Sequence, residues 1–243
     1  MTTERFLLGR GRELVPTDDL AALESAVTGV HDVPPRAILC RRGEPVHSST
    51  LLVDGFVCRY MDDREGRRQL VALHVPGDFI DLHGFTMRVL DHDIVTLSTA
   101  RVATVSHEAL SGIIETRARL TRLLWFSTLL DAAMHREWIF RLGRLSAEGR
   151  VAHLFCEVEA RLAMVGMSED GKFLLPLIQA DLGEACGMTG VHANRTLRRL
   201  REDGLMTFAG GRAEILDRKR LTRLAEFDPI YLYGGNGWSP RLD

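Results

Sequence analysis

Residues 179–205 read QADLGEACGMTGVHANRTLRRLREDGL, and they split in two at Gly187. The run before it, LPLIQADLGEACG, is patterned as a helix that ends on a glycine, the residue that takes φ > 0 without strain. The run after it, VHANRTLRRLREDG, holds four arginines and no acid before Glu202. At about 100° per residue, Val191, His192, Arg198 and Arg199 fall on the side of Arg195. Ala193, Leu197 and Leu200 fall opposite, with Thr196 at the margin, so one face is built for burial and the other carries guanidinium groups and an imidazole. Gly183 is small where the two helices must cross, and Thr189 can cap the second one, turning its free N–H groups towards an anion. This is the pattern of a helix-turn-helix, whose second helix lies in the DNA major groove. Arginine suits that helix because its planar fork reads guanine O6 and N7 together or grips a phosphate. The plainer reading, a solvated arginine-rich face, explains neither the glycine turn nor the threonine cap.

Outward from this core, LMTFAGGRAEIL reads as a hairpin turning at Gly210-Gly211, a wing on which Arg212 can meet a phosphate. Asp217 caps a last helix, RKRLTRLAEF, and the tail DPIYLYGGNGWSPRLD is either loosely attached or packed through its aromatics. Towards the N-terminus, MSEDGKF reads as a turn, Ser146 as the N-cap of SAEGRVAHLFCEVEARLAMVG, and residues 143–149 as a hinge. Before the hinge, a proline-free stretch predicts one long helix from about Thr116 to Leu142. Its apolar set is Leu120, Leu123, Leu124, Phe126, Leu129, Leu130, Ala133, Met134, Trp138, Ile139 and Leu142. That stripe is wider than the ~100° needed to cover one surface. Two faces in use, one on the chain's own β-domain and one on a second copy, account for it; a central helix of a single core is the alternative.

From His31 to about Val105 the texture is that of short strands, AILC, TLLVDGFVCRYM, QLVALHV and DIVTLSTARVATV. Gly43, Gly55, Gly66 and Gly77 follow one another at intervals of 12, 11 and 11 residues. Evenly spaced strands with turn glycines predict an antiparallel sandwich of the jelly-roll kind. Thr17 is read as the cap of a short preceding helix, TDDLAALESAV.

Composition excludes more than it assigns. Formal net charge is -2, so the basic helix stands out by position and not by overall balance. No run of about 18 apolar residues marks a membrane span, and MTTERFLLGRGRELVP lacks the long apolar stretch of a signal peptide. Cys40, Cys58, Cys156 and Cys186 lie far apart, which fits a reducing cytoplasm and offers no zinc-finger or iron-sulfur spacing.

On these residues the chain resembles the Crp/Fnr superfamily of bacterial transcription regulators, over nearly its whole length. RRGEPVHSSTLLVDGFVCRYMDDREGRRQLVALHVPGDF is similar to the family's glycine-punctuated roll, with Pro76-Gly77-Asp78-Phe79 matching its Pro-Gly-Asp/Glu-Phe element. QADLGEACGMTGVHANRTLRRLREDGL is similar to its DNA-binding signature without a gap. The resemblance implies a homodimer on a roughly two-fold symmetric operator, with half-sites about one helical turn apart. It also implies that Arg195 reads a base. Gly190 and Val191 stand where members often carry arginine and glutamate, so familiar target sequences do not transfer and His192, Asn194 and Arg198 become candidates.

The sensor departs further. Where nucleotide-binding members carry a ribose-binding glutamate and an Arg-Ser/Thr pair for the cyclic phosphate, this chain has Leu82 and Asp91-His92. An aspartate there disfavours the anion. Asp81, His83, Asp91, His92 and Asp93, with His74 nearby, are dense enough to suggest a metal or polar effector, against the plainer reading of hydrogen-bonded loop residues. Cys40 and Cys58 are either thiol sensors or small buried apolar residues.

The expected fold is α+β: an N-terminal antiparallel β jelly-roll (residues 1–116), a long dimerisation helix and hinge (117–145), a C-terminal winged helix-turn-helix (146–230) and a tail (231–243). The expected function is that of a cytoplasmic, sequence-specific transcription regulator with no catalytic residues, no cofactor and no metal, and not controlled by cAMP. Its expected partners are double-stranded DNA, a second copy through residues 117–142, RNA polymerase and an unidentified effector, with no membrane. Expected DNA contacts are Gln179, Thr189, Val191, His192, Asn194, Arg195, Arg198, Arg199 and Arg212; the expected effector pocket is Asp81, Leu82, His83, Asp91 and His92. Two other classes compete. One is a metal-dependent, cupin-like jelly-roll enzyme carrying a DNA-binding module. The other is an interaction module whose basic helix never meets DNA.

Overall fold

Alternation along the strands sets the N-terminal architecture. The structure, a computed structural model describing residues 1–234, places nearly all the expected elements and adds several. In chain order they begin with α1 (Thr17–Ser25), β1 (Val27–Val33), β2 (Ile38–Cys40), β3 (Ser48–Asp54), β4 (Val57–Asp62) and β5 (Arg68–His74). A single turn, α2 (Gly84–Met87), precedes β6 (Asp93–Thr96), β7 (Ala100–Ser106), α3 (His107–Thr116) and α4 (Ala118–Arg144). Then follow α5 (Ala147–Met164), β8 (Ser168–Glu169), β9 (Lys172–Leu174), α6 (Gln179–Cys186), α7 (Gly190–Glu202), β10 (Met206–Ala209), β11 (Arg212–Ile215) and α8 (Arg218–Leu224).

Two compact units result: residues 1–59 with 73–132 and the last described residues from Tyr233, and residues 60–72 with 133–232. In the first, β7 lies between β1 and β3, antiparallel to both; a second sheet runs in the order β2, β6, β4, β5, with Tyr60–Asp62 of β4 and Arg68–Ala72 of β5 counted in the second unit. Successive side chains of a strand point to opposite faces. Leu51 of β3 and Val105 of β7 therefore enter one core, with Phe6, Phe79, Leu110, Leu120 and Leu123. Leu52 and Val102 enter the other, with Val57, Ile80, Leu90 and Ile94 between the sheets. The jelly-roll expectation holds.

Several boundaries differ from the sequence reading. Pro16, not Thr17, is the N-cap of α1; it lacks an N–H to lose, and Thr17 is already helical. Strand texture starts at Val27, four residues ahead of His31. The helix expected from Thr116 is interrupted at Arg117, so α3 stops there and α4 starts at Ala118. MSEDGKF is a hairpin and not only a turn: β8 and β9 join β11 and β10 in a four-stranded wing sheet. Of the tail, Tyr231 is buried and Tyr233 meets the Phe126 ring edge-on at 5.8 Å, while residues 235–243, Trp238 among them, lie outside the described residues.

The wide apolar stripe of α4 resolves into two faces. Leu120, Leu123, Leu124, Leu130, Ala133, Met134 and Trp138 are buried in the chain's own core. Arg122, Trp125, Leu129, Ala132, Arg136, Ile139 and Gly143 are exposed, at alternating intervals of three and four residues. That interval is the heptad seam of a coiled coil. Ile139 is 73% exposed and Trp125 65%, values that a helix serving one core would not show.

The C-terminal unit is organised on a buried carboxylate. Glu157 of α5 is wholly buried and accepts hydrogen bonds from Trp138 Nε1 (3.1 Å), Tyr231 Oη (2.9 Å) and the buried Arg161 (Nη1, 3.3 Å). A charge held this way is tolerated; a partner left alone is not. Glu157→Ala should therefore cost about 3–5 kcal/mol by removing the buried carboxylate on which Trp138, Tyr231 and Arg161 converge. Chemical denaturation of the variant followed by tryptophan fluorescence checks it, with Glu157→Gln losing less.

Candidate nucleic-acid interface and sensor crevice

α6 starts where Asp181 accepts the backbone N–H of Ile178 (2.8 Å), and ends at Gly187 in the left-handed region (φ 62°). The turn is tight for a steric reason. A Cβ on Gly183 would lie 2.6 Å from the Met188 carbonyl oxygen and 2.9 Å from the Gly190 nitrogen, so any side chain would force the helices apart. Thr189 Oγ1 accepts the His192 N–H (3.2 Å) and caps α7 as expected.

The last carbonyls of a helix have no partner within it. In α6 all four find one. Gly183 O takes the N–H groups of Gly187 and Met188. Gln69, from the β4–β5 hairpin, donates to Glu184 O. Arg141 of α4 donates to Ala185 O (2.8 Å), with its guanidinium 4.1 Å above the Trp138 ring. Arg150 of α5 reaches Cys186 O at 3.4 Å. Cations at a helix C-terminus also complement its dipole.

Ala193, Thr196 and Leu200 of α7 are buried, while Val191, His192, Asn194, Arg195, Arg198 and Arg199 are exposed, as the wheel predicts. The arginines differ in their commitments. Arg198 pairs with Glu202 (2.7 Å) and Arg199 with Glu148 of α5 (2.9 Å). Arg195 has no ion pair among the described residues. Gln179 and Thr189 are exposed beside each other's helix N-termini, since a Cβ on Gly190 would approach Gln179 O at 3.2 Å. The β10–β11 hairpin turns on Gly210 (φ 57°) and Gly211 (φ 74°), the pair of positive φ angles that suits a two-residue hairpin. It carries Arg212 at the surface.

The sensor residues are only partly gathered. Leu82 and His83 line a small crevice with Arg59, Phe79, Ser127, Thr128 and Asp131. His92 lies near it, its ring tilted 41° to that of His83 with the centroids 5.3 Å apart. Asp81 is turned inward, where it accepts from the backbone N–H and hydroxyl of Thr50, and Asp91 is exposed and bound to His92 Nδ1 (2.7 Å). Neither aspartate lines the crevice. Among the described residues no three His, Cys, Asp or Glu side chains converge on a metal position.

Arg59 was missed. It is 2% exposed, donates Nε and Nη2 to Ile80 O (2.9 and 2.6 Å) and Nη1 to Asp131 Oδ2 (2.7 Å), which joins β4 to α4 across the crevice. The available signal was an arginine inside the apolar strand FVCRYM. The thiols are quiet: burial and then Asp81 push Cys40 up to about 11, and burial pushes Cys186 up to about 11.

A β-roll, a long helix with an open seam and a winged helix-turn-helix define a class, the DNA-binding regulator that joins a β-roll to a winged helix through one long helix. Comparison with known proteins narrows it. A cyclic nucleotide-binding domain model matches residues 30–117 and a Crp-like helix-turn-helix domain model residues 149–224. The transcriptional activator protein anr of Pseudomonas aeruginosa is 23% identical over 208 residues, 86% of this chain and 85% of its own length. The nitrogen fixation regulation protein FixK of Bradyrhizobium diazoefficiens is 27% identical over 175 residues, 72% of each chain. The solved structure of FixK2 from Bradyrhizobium japonicum matches with a TM-score of 0.74 at 25% identity, covering 81% of this chain and 96% of that one. The chain belongs to the Crp/Fnr superfamily and is a DNA-binding transcription regulator of that type. No helix among the described residues is long and apolar enough to cross a membrane.

Buried titratable groups in and around the crevice give the roll a pH dependence. Burial, and then the Arg59 charge, lowers His74 and His83 to about 4 each. Burial raises Asp81 to about 6 against its bonds from Thr50. A histidine whose folded pKa lies below its unfolded value supports the fold above about pH 6.5, and this support is lost as pH falls towards 4. Asp81 acts oppositely, supporting the fold below about pH 4 and losing that support as pH rises through 6. Two histidines outweigh one carboxyl. Stability of the roll should fall between pH 6.5 and 4, with each histidine contributing at most about 1.4 kcal/mol per pH unit. Calorimetric unfolding across that range checks it, and His74→Leu should flatten the slope.

Proposed function

We propose that the chain is a non-enzymatic, cytoplasmic regulator that dimerises through residues 117–142 and reads a two-fold symmetric operator with α7. Residues 1–116 serve as the sensor domain and 146–230 as the DNA-binding domain. The observation that carries this is the α7 surface, an exposed face of Arg195, His192, Asn194 and Arg198 set on a helix whose opposite side is buried. Arg195, with no ion pair among the described residues, reads a base edge, and Val191, His192, Asn194 and Arg198 complete the reading face. Gln179 and Thr189 hold phosphate at two helix N-termini, and Arg212 holds it from the wing. Arg199 reaches the DNA backbone only by leaving Glu148. Once on DNA, the dimer acts on transcription through contact with RNA polymerase.

The sensor works without a cyclic nucleotide. Leu82 is apolar, Asp91 is anionic, and the crevice that Leu82 lines is bridged by Arg59 and Asp131. An effector acting here changes the register of α4, and through α4 the fit of paired recognition helices to half-site spacing.

Selection from a randomised DNA pool tests the reading. A symmetric motif is expected, bound with an affinity that falls steeply with salt. Arg195→Ala should cost about 1–3 kcal/mol and relax one base position per half-site, whereas Arg212→Ala should weaken binding uniformly. No enrichment, or an unchanged motif with Arg195→Ala, overturns the assignment. Leu129→Glu, placing like charges in the seam, should give a monomer by light scattering with folding intact and operator binding lost.

A further inference from the structure

We propose that Val191 reads the C5-methyl group of one thymine in each half-site. This rests on the function proposed above and names a base group that α7 recognises.

Single exposed apolar residues are ordinary on protein surfaces. What sets Val191 apart is its setting. It is 64% exposed, and every other exposed side chain on its face, His192, Asn194, Arg195, Arg198 and Arg199, is polar. A valine side chain can neither donate to a phosphate nor hydrogen-bond a base. It is also β-branched, a weaker helix former than the straight-chain residues, so helix propensity does not explain it.

The helix start makes Val191 the first reader. Thr189 spends its hydroxyl on the cap. Gly190 has no side chain, and a Cβ there would crowd Gln179 at 3.2 Å from its carbonyl oxygen and 3.4 Å from its carbonyl carbon. The end of a recognition helix that enters deepest is its N-terminal one, where side chains meet base edges. On those edges the apolar feature is the thymine methyl. Two valine methyls laid against it exclude water from all three groups.

Position follows from helix geometry. Val191 and Arg195 are four residues apart on one face, about 6 Å along the axis, which is roughly two base steps of 3.4 Å. The thymine therefore lies within about two base pairs of the position that Arg195→Ala relaxes.

The test exchanges thymine for deoxyuridine, which removes the methyl and nothing else, one position at a time in the selected operator. Affinities are measured with the full-length dimer at fixed salt. Wild type should show one thymine per half-site at which the exchange weakens binding about fourfold, and about sixteenfold when both half-sites carry it. Val191→Ser should lose this sensitivity, falling below about twofold, while retaining its thermal stability. Arg195→Ala, which alters a different base position, should keep it. No deoxyuridine-sensitive thymine in wild type, or equal sensitivity in Val191→Ser, overturns the proposal. The two failures are distinguishable: the selection above yielding no motif sinks the DNA-binding reading itself, whereas a motif without methyl dependence sinks only the role of Val191.

Discussion

The C-terminal carbonyls of α6 are the constraint on which the reading surface depends. Backbone oxygens buried without partners cost free energy comparable to a lost hydrogen bond. Here Glu184, Ala185 and Cys186 are satisfied by three side chains from three different segments, Gln69 of the hairpin, Arg141 of α4 and Arg150 of α5. The turn at Gly187 and the start of α7 follow directly from where α6 stops. A shift of α4 that moves Arg141 must then either carry α6 with it or leave a carbonyl and a buried guanidinium unpaired. Removing one partner from a buried charged hydrogen bond is expensive. The helix that carries the open seam is thus tied to the helix that poses α7.

Buried charge recurs at the positions where one element must hold another. Arg59 joins β4 to α4 through Asp131, Glu157 gathers α4, α5 and the C-terminal turn, and the buried Glu159 of α5 holds the exposed fork of Arg218 of α8 with bonds of 2.7 and 2.9 Å. Such pairs add little net stability over an apolar core of the same volume. They do specify geometry, because a bidentate guanidinium accepts few arrangements and a misplaced one is costly. Apolar contacts alone leave packed helices free to slide by fractions of a turn. Under the function proposed above, in which the spacing between two recognition helices is the output, that looseness is costly at rest.

Much of this was legible in the sequence, and the pattern of what was not has a physical cause. The helix-turn-helix could be read because each of its demands is local: a glycine at a positive φ, a threonine three residues before the N–H it caps, arginines at helical spacing. The long helix was legible for the same reason, its two faces showing as a stripe too wide for one surface. The β-roll was legible as texture, but Val27–Val30 were hidden because β1 follows α1 without a turn residue to mark the change. The sensor site was read worst. Asp81, His83, Asp91 and His92 are neighbours in sequence, yet the roll turns Asp81 to Thr50 and Asp91 to solvent. The pair that bridges the crevice, Arg59 and Asp131, is 72 residues apart and meets only through tertiary packing. Proximity in sequence says little about who shares a crevice.

The seam of α4 is itself informative about how tightly two copies would close. Its exposed residues include Ala132 and Gly143, which let backbones approach, and Arg122 and Arg136, which do not bury without partners. A seam of leucine and isoleucine throughout would close tightly without itself fixing one register, which polar positions specify. One that alternates Trp125, Leu129 and Ile139 with arginines holds the copies together while leaving the charged positions to be satisfied at the edges of the interface, in water or by acids of the partner helix. Small changes in register then cost little at the arginines and more at the apolar positions. That balance suits the dimer proposed above, in which Asp131, paired with Arg59, lies beside Ala132 at the edge of the seam.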